Sequence, residues 1–237
     1  MANGTIYLVP STLGGETTSD IIPEDVKSEV IKLRHFIVED IKAARRFLRK
    51  VDRSFPIDDS EFFILNKKTD ASELGRFLGP VKNGHDTGVL SDAGCPGVAD
   101  PGAAIVALAH EKGIRVHPFV GPSSILLALM GSGFSGQKFS FHGYLPKERK
   151  DRIKSMKYYE ADTRRTGCTH LFMDTPFRNM NVLDDLLNNL ADTTMVCIAS
   201  NITLPNESIW TMSVVDWREK AYDLAKKPTI FAIGTFQ

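Results

Sequence analysis

Along the first half of the chain, short runs of β-branched and aromatic residues alternate with longer segments whose apolar positions recur at helical spacing. The runs Thr5 to Val9, His35 to Val38, Glu61 to Leu65, Thr87 to Leu90 and Ile114 to Phe119 are bounded by turn-forming residues and read as strands. Between them, Pro23 to Leu33, Ile41 to Val51, Ala71 to Val81, Pro101 to Lys112 and Pro122 to Met130 have the pattern of helices packed along one side. Pro23 and Pro101 suit the first helical position, where a missing N–H costs nothing, and Asp100 suits a cap before the second of these helices. Strand, helix and strand repeated in this way build a largely parallel sheet covered by helices.

The pattern changes between residues 134 and 168. Phe139-Ser140-Phe141-His142-Gly143-Tyr144-Leu145-Pro146 ends in a proline, and a strongly charged helix from Lys147 to Glu160 follows. Strands are expected at Thr169 to Met173, Met195 to Ala199, Glu207 to Met212 and Thr229 to Ile233, with helices around Val182 to Leu190 and Trp217 to Ala225. The second and third of these strands are near enough in sequence to form a hairpin, so the second sheet is expected to be mixed. A chain of 237 residues exceeds the usual single core. The expected organisation is two α/β domains, residues 1–122 and residues 123–237, the second including the connector.

Composition narrows the class. Apolar residues make up 42% and charged residues 24%, ordinary values for a soluble globular protein, which argues against disorder. Lys plus Arg equals Asp plus Glu at 29 each, so a polyanionic partner would have to be met by a local patch. The three cysteines, Cys95, Cys168 and Cys197, have neither Cys-x-x-Cys nor His-x-x-Cys spacing; reduced thiols in a cytoplasmic protein and no metal are expected. The start Met1-Ala2-Asn3-Gly4 has no basic signal-peptide head, so no export is expected. Residues 116–137 lack Lys, Arg, Asp and Glu, but prolines and glycines interrupt them, and a membrane span needs about 20 predominantly apolar residues.

Eleven of the 18 glycines fall between Gly84 and Gly143, placing close-approach backbone at the carboxyl ends of the first sheet, where open α/β sheets bind ligands. The densest part is Ser91-Asp92-Ala93-Gly94-Cys95-Pro96-Gly97-Val98-Ala99-Asp100-Pro101-Gly102. Asp92 follows a buried strand directly and reads either as an acceptor for a ligand's ammonium or hydroxyls or as a turn residue bonded to nearby amides. Gly121-Pro122-Ser123-Ser124 opens a helix with unpaired amides and two hydroxyls. Neither Gly-x-Gly-x-x-Gly nor Gly-Lys-Ser/Thr occurs; Val9-Pro10-Ser11-Thr12-Leu13-Gly14-Gly15 follows the first strand instead. Glu39 and Asp40 end the second strand. A carboxylate there serves as proton acceptor, holds a substrate hydroxyl or caps the next helix. Lys42, Arg45, Arg46, Arg49 and Arg53 then form a basic stripe, either a solvated face or a phosphate-binding one. Lys147, Arg149, Lys150, Arg152, Lys154 and Lys157 make a second basic group, either connector or RNA contact.

The stretch Ser91 to Gly102, together with Gly113-Ile114-Arg115-Val116 and Pro118-Phe119-Val120-Gly121-Pro122-Ser123-Ser124, resembles the tetrapyrrole methylase superfamily. Val38-Glu39-Asp40-Ile41-Lys42, Gly143-Tyr144-Leu145-Pro146 and Met173-Asp174-Thr175-Pro176-Phe177-Arg178 are similar to motifs of its branch that methylates small-subunit ribosomal RNA at a cytidine 2'-hydroxyl. Gly14-Gly15-Glu16, Ile41, Lys42 and Ser200-Asn201-Ile202-Thr203 depart from the usual residues of that branch. The resemblance implies a two-domain α/β methyltransferase, a homodimer, with S-adenosylmethionine folded between the domains. It implies cofactor contacts at Pro10, Asp92, Ala93, Gly94, Val98, Ala99, Ser123 and Ser124, and in the second domain at Met173, Ser200 and Thr229. Glu39 and Asp40 are then the catalytic candidates, and Lys42, Arg45 and Arg49 the substrate contacts. RNA is the expected partner, not DNA or membrane. The alternatives are a methyltransferase for a tetrapyrrole or another target, and a catalytically silent RNA-binding protein that keeps the fold.

Overall fold

Alternation of side chains along two central strands assembles the first sheet. β1 (Thr5–Val9), β2 (His35–Val38), β3 (Glu61–Ile64), β4 (Thr87–Leu90) and β5 (Arg115–Pro118) pair in the order β3-β2-β4-β1-β5, every pairing parallel. Phe36, Val38 and Leu90 face one way and pack with Val26 and Val30 of α1 (Glu24–Val30) and Ala44, Phe47 and Leu48 of α2 (Ile41–Val51). Ile37 and Val89 face the other way, onto Phe77 of α3 (Leu74–Phe77), Val81 of α4 (Gly79–Lys82) and Ile105 and Ala109 of α5 (Gly102–Glu111). Each of the Val, Leu, Ile and Phe side chains among them, fully buried, contributes about 1.5 to 3 kcal/mol. The structure, a computed structural model, describes residues 3–236. Met1 and Ala2, part of the segment in which no signal peptide is read, lie outside them. The chain divides into two units, with the boundary between Ser123 and Ser124.

The strand order fixes where a site is possible in the first unit. Connections from β1 to β2 and from β2 to β3 carry α1 and α2 on one face, whereas those leaving β3 and β4 carry α3, α4 and α5 on the other. β4 therefore sends its following loop to the opposite face from both neighbours, β1 and β2, the switch arrangement that opens a crevice at strand ends.

In the second unit, β6 (Phe139–Tyr144), β7 (Thr169–Met173), β8 (Met195–Ser200), β9 (Ser208–Ser213) and β10 (Thr229–Gly234) pair in the order β6-β7-β10-β8-β9. Only β6 and β7 run parallel, and β8 and β9 form the expected hairpin. α6 (Ser124–Ser132) lies against β8, β9 and β10. One core joins Phe172, Ile198, Phe231 and Ile233 to Met156 of α7 (Arg149–Thr166), Val182 and Leu186 of α8 (Asn179–Asn189) and Trp217 of α9 (Val214–Glu219).

Three elements differ from the sequence reading. The helix expected over Ala71 to Val81 is a 3-10 turn at Ala71–Glu73 followed by α3 and α4, because Pro80 has no N–H for the carbonyl of Arg76 and its ring collides with that turn. The helix expected at Trp217 to Ala225 is α9, which starts earlier because the Ser213 hydroxyl accepts the Asp216 N–H as its cap. In the second basic group, Arg152 is buried: its guanidinium donates to Asp185 Oδ2 at 2.6 and 2.8 Å, while Arg149 binds Oδ1 at 2.8 Å. Those two cations join α7 to α8 and are not a free patch. Among the described residues no helix is long and apolar enough to cross a membrane.

Candidate functional site

At the carboxyl edge of the first sheet, the loops after β1 and β4 are joined. Ser11 and Gly94 exchange both backbone hydrogen bonds, at 2.9 and 3.2 Å, and the Ser11 hydroxyl donates to the Ser91 carbonyl at 2.8 Å. Beyond Gly94, the loop turns through left-handed residues at Gly97 (φ 84°) and Ala99 (φ 61°). Glycine accepts that conformation freely; alanine does so at a cost of about 1 to 2 kcal/mol, so Ala99 is held there by its surroundings. What holds it is Asp100, whose two oxygens each accept the Gly97 N–H at 2.9 Å and whose Oδ1 also accepts the Gly102 N–H at 2.7 Å. Asp100 thus serves the expected start of α5 from one residue further out, Pro101 being the residue before the helix. The loop after β5 closes on the same edge: a Cβ on Gly121 would sit 2.1 Å from Pro10 Cβ, and the Cys95 thiol reaches the Pro122 carbonyl at 3.3 Å.

The carboxylates gather here. Glu39 Oε1 accepts the Asp92 N–H at 3.2 Å, linking the end of β2 to the end of β4. Burial, then the charges of Asp92 and Asp100, raise the Glu39 pKa above the ordinary carboxyl range against the Asp92 N–H and Lys67. Burial and the Asp40 charge raise that of Asp92, and burial raises that of Asp100 despite its two amide donors. Carboxyls so placed attract hydroxyl and ammonium donors, and a raised carboxyl pKa makes a stronger proton acceptor once ionised. Asp40 has a different position: its Oδ1 accepts the Ala43 N–H at 2.7 Å and caps α2.

The structure therefore brings Pro10, Asp92, Ala93 and Gly94 together with Glu39, and carries Val98 and Ala99 further round the same loop. Lys42, Arg45 and Arg49 are exposed on α2, with the Arg45 guanidinium 5.6 Å from the centre of the Phe62 ring. His117 packs edge-on to Tyr7 and Phe119, in keeping with a structural histidine. Ser123 ends the first unit, and Ser124 begins α6 in the second. Ser11 and Lys67 did not stand out in the sequence. The only signal for Ser11 is a polar residue just past a buried strand; for Lys67 there is none.

Met173, Ser200 and Thr229 share one end of the second sheet: Thr229 pairs with Ser200, and the next residue, Ile230, with Met173. Asn201 N–H donates to the Pro228 carbonyl at 2.9 Å and Asn179 Nδ2 to that of Lys227 at 2.7 Å, fixing this end. Asp174 Oδ1 accepts from Arg178 at 2.6 and 2.8 Å and from the Thr175 N–H at 2.6 Å. Asp174 Oδ2, Asn179 Oδ1 and Thr203 Oγ1 are buried without a hydrogen-bond partner among the described residues. An unsatisfied buried polar atom costs about 1 to 3 kcal/mol, so orphans beside Met173 and Ser200 fit a polar ligand that completes them. The left-handed loop after β4 likewise fits one that approaches backbone closely. The carboxylates and left-handed loop of the first unit thus suit hydroxyl and ammonium donors such as those of S-adenosylmethionine, and the orphaned polar atoms of the second unit suit a polar ligand.

Comparison with known proteins gives three results. The family described as "Tetrapyrrole (Corrin/Porphyrin) Methylases" matches residues 28–216. Proteins named "Ribosomal RNA small subunit methyltransferase I" are similar over most of this chain. That of Escherichia coli O157:H7 is 26% identical over 220 residues, 88% of this chain and 68% of that protein. Those of Micromonospora olivasterospora and Halalkalibacterium halodurans are each 29% identical, over 86% and 78% of this chain. The chain spans only 61% and 60% of the length of the latter two. Among solved structures, the methyltransferase CobJ matches with a TM-score of 0.63 at 16% identity, covering 99% of this chain and 95% of that one. The cobalt precorrin-4 methyltransferase CbiF matches with a TM-score of 0.58 at 15% identity, covering 97% and 94%. At such identities, these two speak for the fold alone.

Proposed function

The chain belongs to the tetrapyrrole methylase family, and from that membership we propose that it is an S-adenosylmethionine-dependent methyltransferase acting on a ribose 2'-hydroxyl of small-subunit ribosomal RNA. The observation that carries this reading is the link from Glu39 to the Asp92 amide, which sets a proton acceptor beside a backbone-lined loop. The relatives named for small-subunit ribosomal RNA support the substrate class. So does the basic face of α2, which begins at Lys42, three residues past Glu39.

S-adenosylmethionine, when bound, supplies a methyl group on a positively charged sulfur. In the first unit, Asp92 would accept hydrogen bonds from its ammonium or ribose hydroxyls, the backbone of Ala93, Gly94, Val98 and Ala99 would lie close to it, and Pro10 and Ser123, with Ser124 at the start of the second unit, would complete the contacts. In the second unit, Met173 offers an apolar cover for adenine, and Ser200 and Thr229 line the same strand ends. Glu39 takes the proton from the attacking hydroxyl, while Asp40 keeps the first turn of α2 in place. Lys42, Arg45 and Arg49 neutralise backbone phosphates. Alignment and exclusion of water carry the acceleration. The protein works in the cytoplasm as a homodimer.

The test has two steps. Titration calorimetry with S-adenosylmethionine gives saturable binding that Asp92→Ala weakens at least tenfold. The protein is then incubated with methyl-labelled cofactor and small ribosomal subunits, and ribose methyls are mapped by mass spectrometry. Label confined to a tetrapyrrole or to protein overturns the RNA assignment, and cofactor binding without any transfer marks a silent member of the family.

A further inference from the structure

The geometry points to a zinc-class metal site in the second unit, formed by Asp162, Cys168 and His170 and separate from every residue of the proposed methyl-transfer site. Cys168 and His170 flank Thr169 at the start of β7, so their side chains leave the same face of the strand. Gly167 ends α7 in the left-handed conformation (φ 69°) and turns the chain back, so that Asp162, in the last turns of that helix, faces them. One ligand atom from each residue lies within 4.8 Å of the other two. Ligands bound at about 2.0 to 2.3 Å in a tetrahedron stand about 3.5 Å apart. Small side-chain adjustments on a preassembled cluster are enough to close on an ion.

The surroundings match the needs of such a site. Arg165 engages Asp162 Oδ1, while Oδ2 lies 3.1 Å from His170 Nε2 and accepts the Thr166 hydroxyl at 3.3 Å, so an ion at Oδ2 would take the place of the His170 contact. His170 Nδ1 is 2.8 Å from His142 Nε2, and the Tyr159 ring stacks on both imidazoles, at 4.1 Å from His142 and 5.2 Å from His170. His142 would then act on the metal indirectly, orienting His170 as an acceptor for its second nitrogen.

Charge and proton accounts close. A thiolate, a carboxylate and a neutral imidazole around a divalent cation sum to zero, which suits a site where Cys168 and His170 are buried. Binding forms metal–sulfur, metal–nitrogen and metal–oxygen bonds and releases the thiol proton to solvent. Each imidazole keeps one proton, moved from Nε2 to Nδ1. The fourth position is open to water. Thiolate and imidazole favour zinc over magnesium or calcium. The ion would fasten the end of α7 to β7.

The experiment uses the whole chain, stripped with chelator and titrated with cobalt(II). Expected are one equivalent bound at micromolar affinity or tighter, with thiolate-to-cobalt charge-transfer absorption that zinc displaces and magnesium does not. Cys168→Ser abolishes the charge-transfer band and weakens binding at least tenfold; Cys95→Ser changes neither. Should Cys168→Ser fail to fold, X-ray absorption of the zinc-loaded native chain decides, with one sulfur at about 2.3 Å expected. No stoichiometric binding, no sulfur scatterer, or a band that follows Cys95 would overturn the site. S-adenosylmethionine affinity is unchanged in Cys168→Ser, so failure here is distinguishable from failure of the methyltransferase reading.

Discussion

Glu39 is easier to protonate in the folded chain than in an extended one, because burial and the charges of Asp92 and Asp100 raise its pKa. A carboxyl whose folded value exceeds its unfolded one adds stability below the unfolded value, and that contribution is lost as pH rises through the folded one. Glu39→Gln keeps an acceptor for the Asp92 N–H while removing the charge. Near neutral pH its melting temperature should rise by about 1 to 3 °C, discounted for solvent screening, and the gain should vanish near about pH 4. Methyl transfer by the same variant should fall at least about 100-fold, measured with labelled cofactor. A second residue-scale prediction concerns Gly121. Alanine there would drive its Cβ into Pro10, so Gly121→Ala should lose about 1 to 3 kcal/mol in urea denaturation. Glu39 and Asp92 were legible because carboxylates just past buried strands are costly and therefore conspicuous. Ser11 was not, since its partners Ser91 and Gly94 lie some eighty residues on and only the parallel pairing of β1 with β4 brings them near.

At the level of elements, most strands and helices could be read from periodicity, with ends displaced by a few residues. The failures have identifiable causes. Pro80 divides the helix expected over residues 71 to 81, and Ser213 moves the start of α9 forward. The basic group after Pro146 misleads most, because Asp185, thirty-three residues after Arg152, cannot be paired with it from sequence. Asp185→Ala leaves the Arg152 guanidinium buried without its counter-ion, with only the Lys147 carbonyl to accept from it, and should destabilise by about 3 to 5 kcal/mol in denaturant titration; adding Arg152→Met should recover most of that. The α2 stripe behaves oppositely, being exposed. Arg45→Glu with Arg49→Glu should leave the circular dichroism spectrum intact and S-adenosylmethionine affinity within about twofold, while RNA affinity in a filter-binding assay falls at least about tenfold.

Across the whole molecule, acidic and basic residues balance at 29 each, so the proposed attraction to RNA rests on a local patch, for which the α2 stripe is the proposed one, and not on net charge. With Lys42, Arg45 and Arg49 each meeting one phosphate, the logarithm of RNA affinity should fall with the logarithm of salt at a slope of about −2. A much steeper slope would mean that further cations take part. The class of each sheet followed from the sequence, yet the order β3-β2-β4-β1-β5 did not, because periodicity says which face is buried and not which neighbour a strand takes. That order also determines how the first unit can breathe. Since Ser11 and Gly94 grip each other through two backbone hydrogen bonds, the segments following β1 and β4 cannot lift away singly. An arriving molecule therefore meets the two segments as a single edge, and parting them must break both bonds at once.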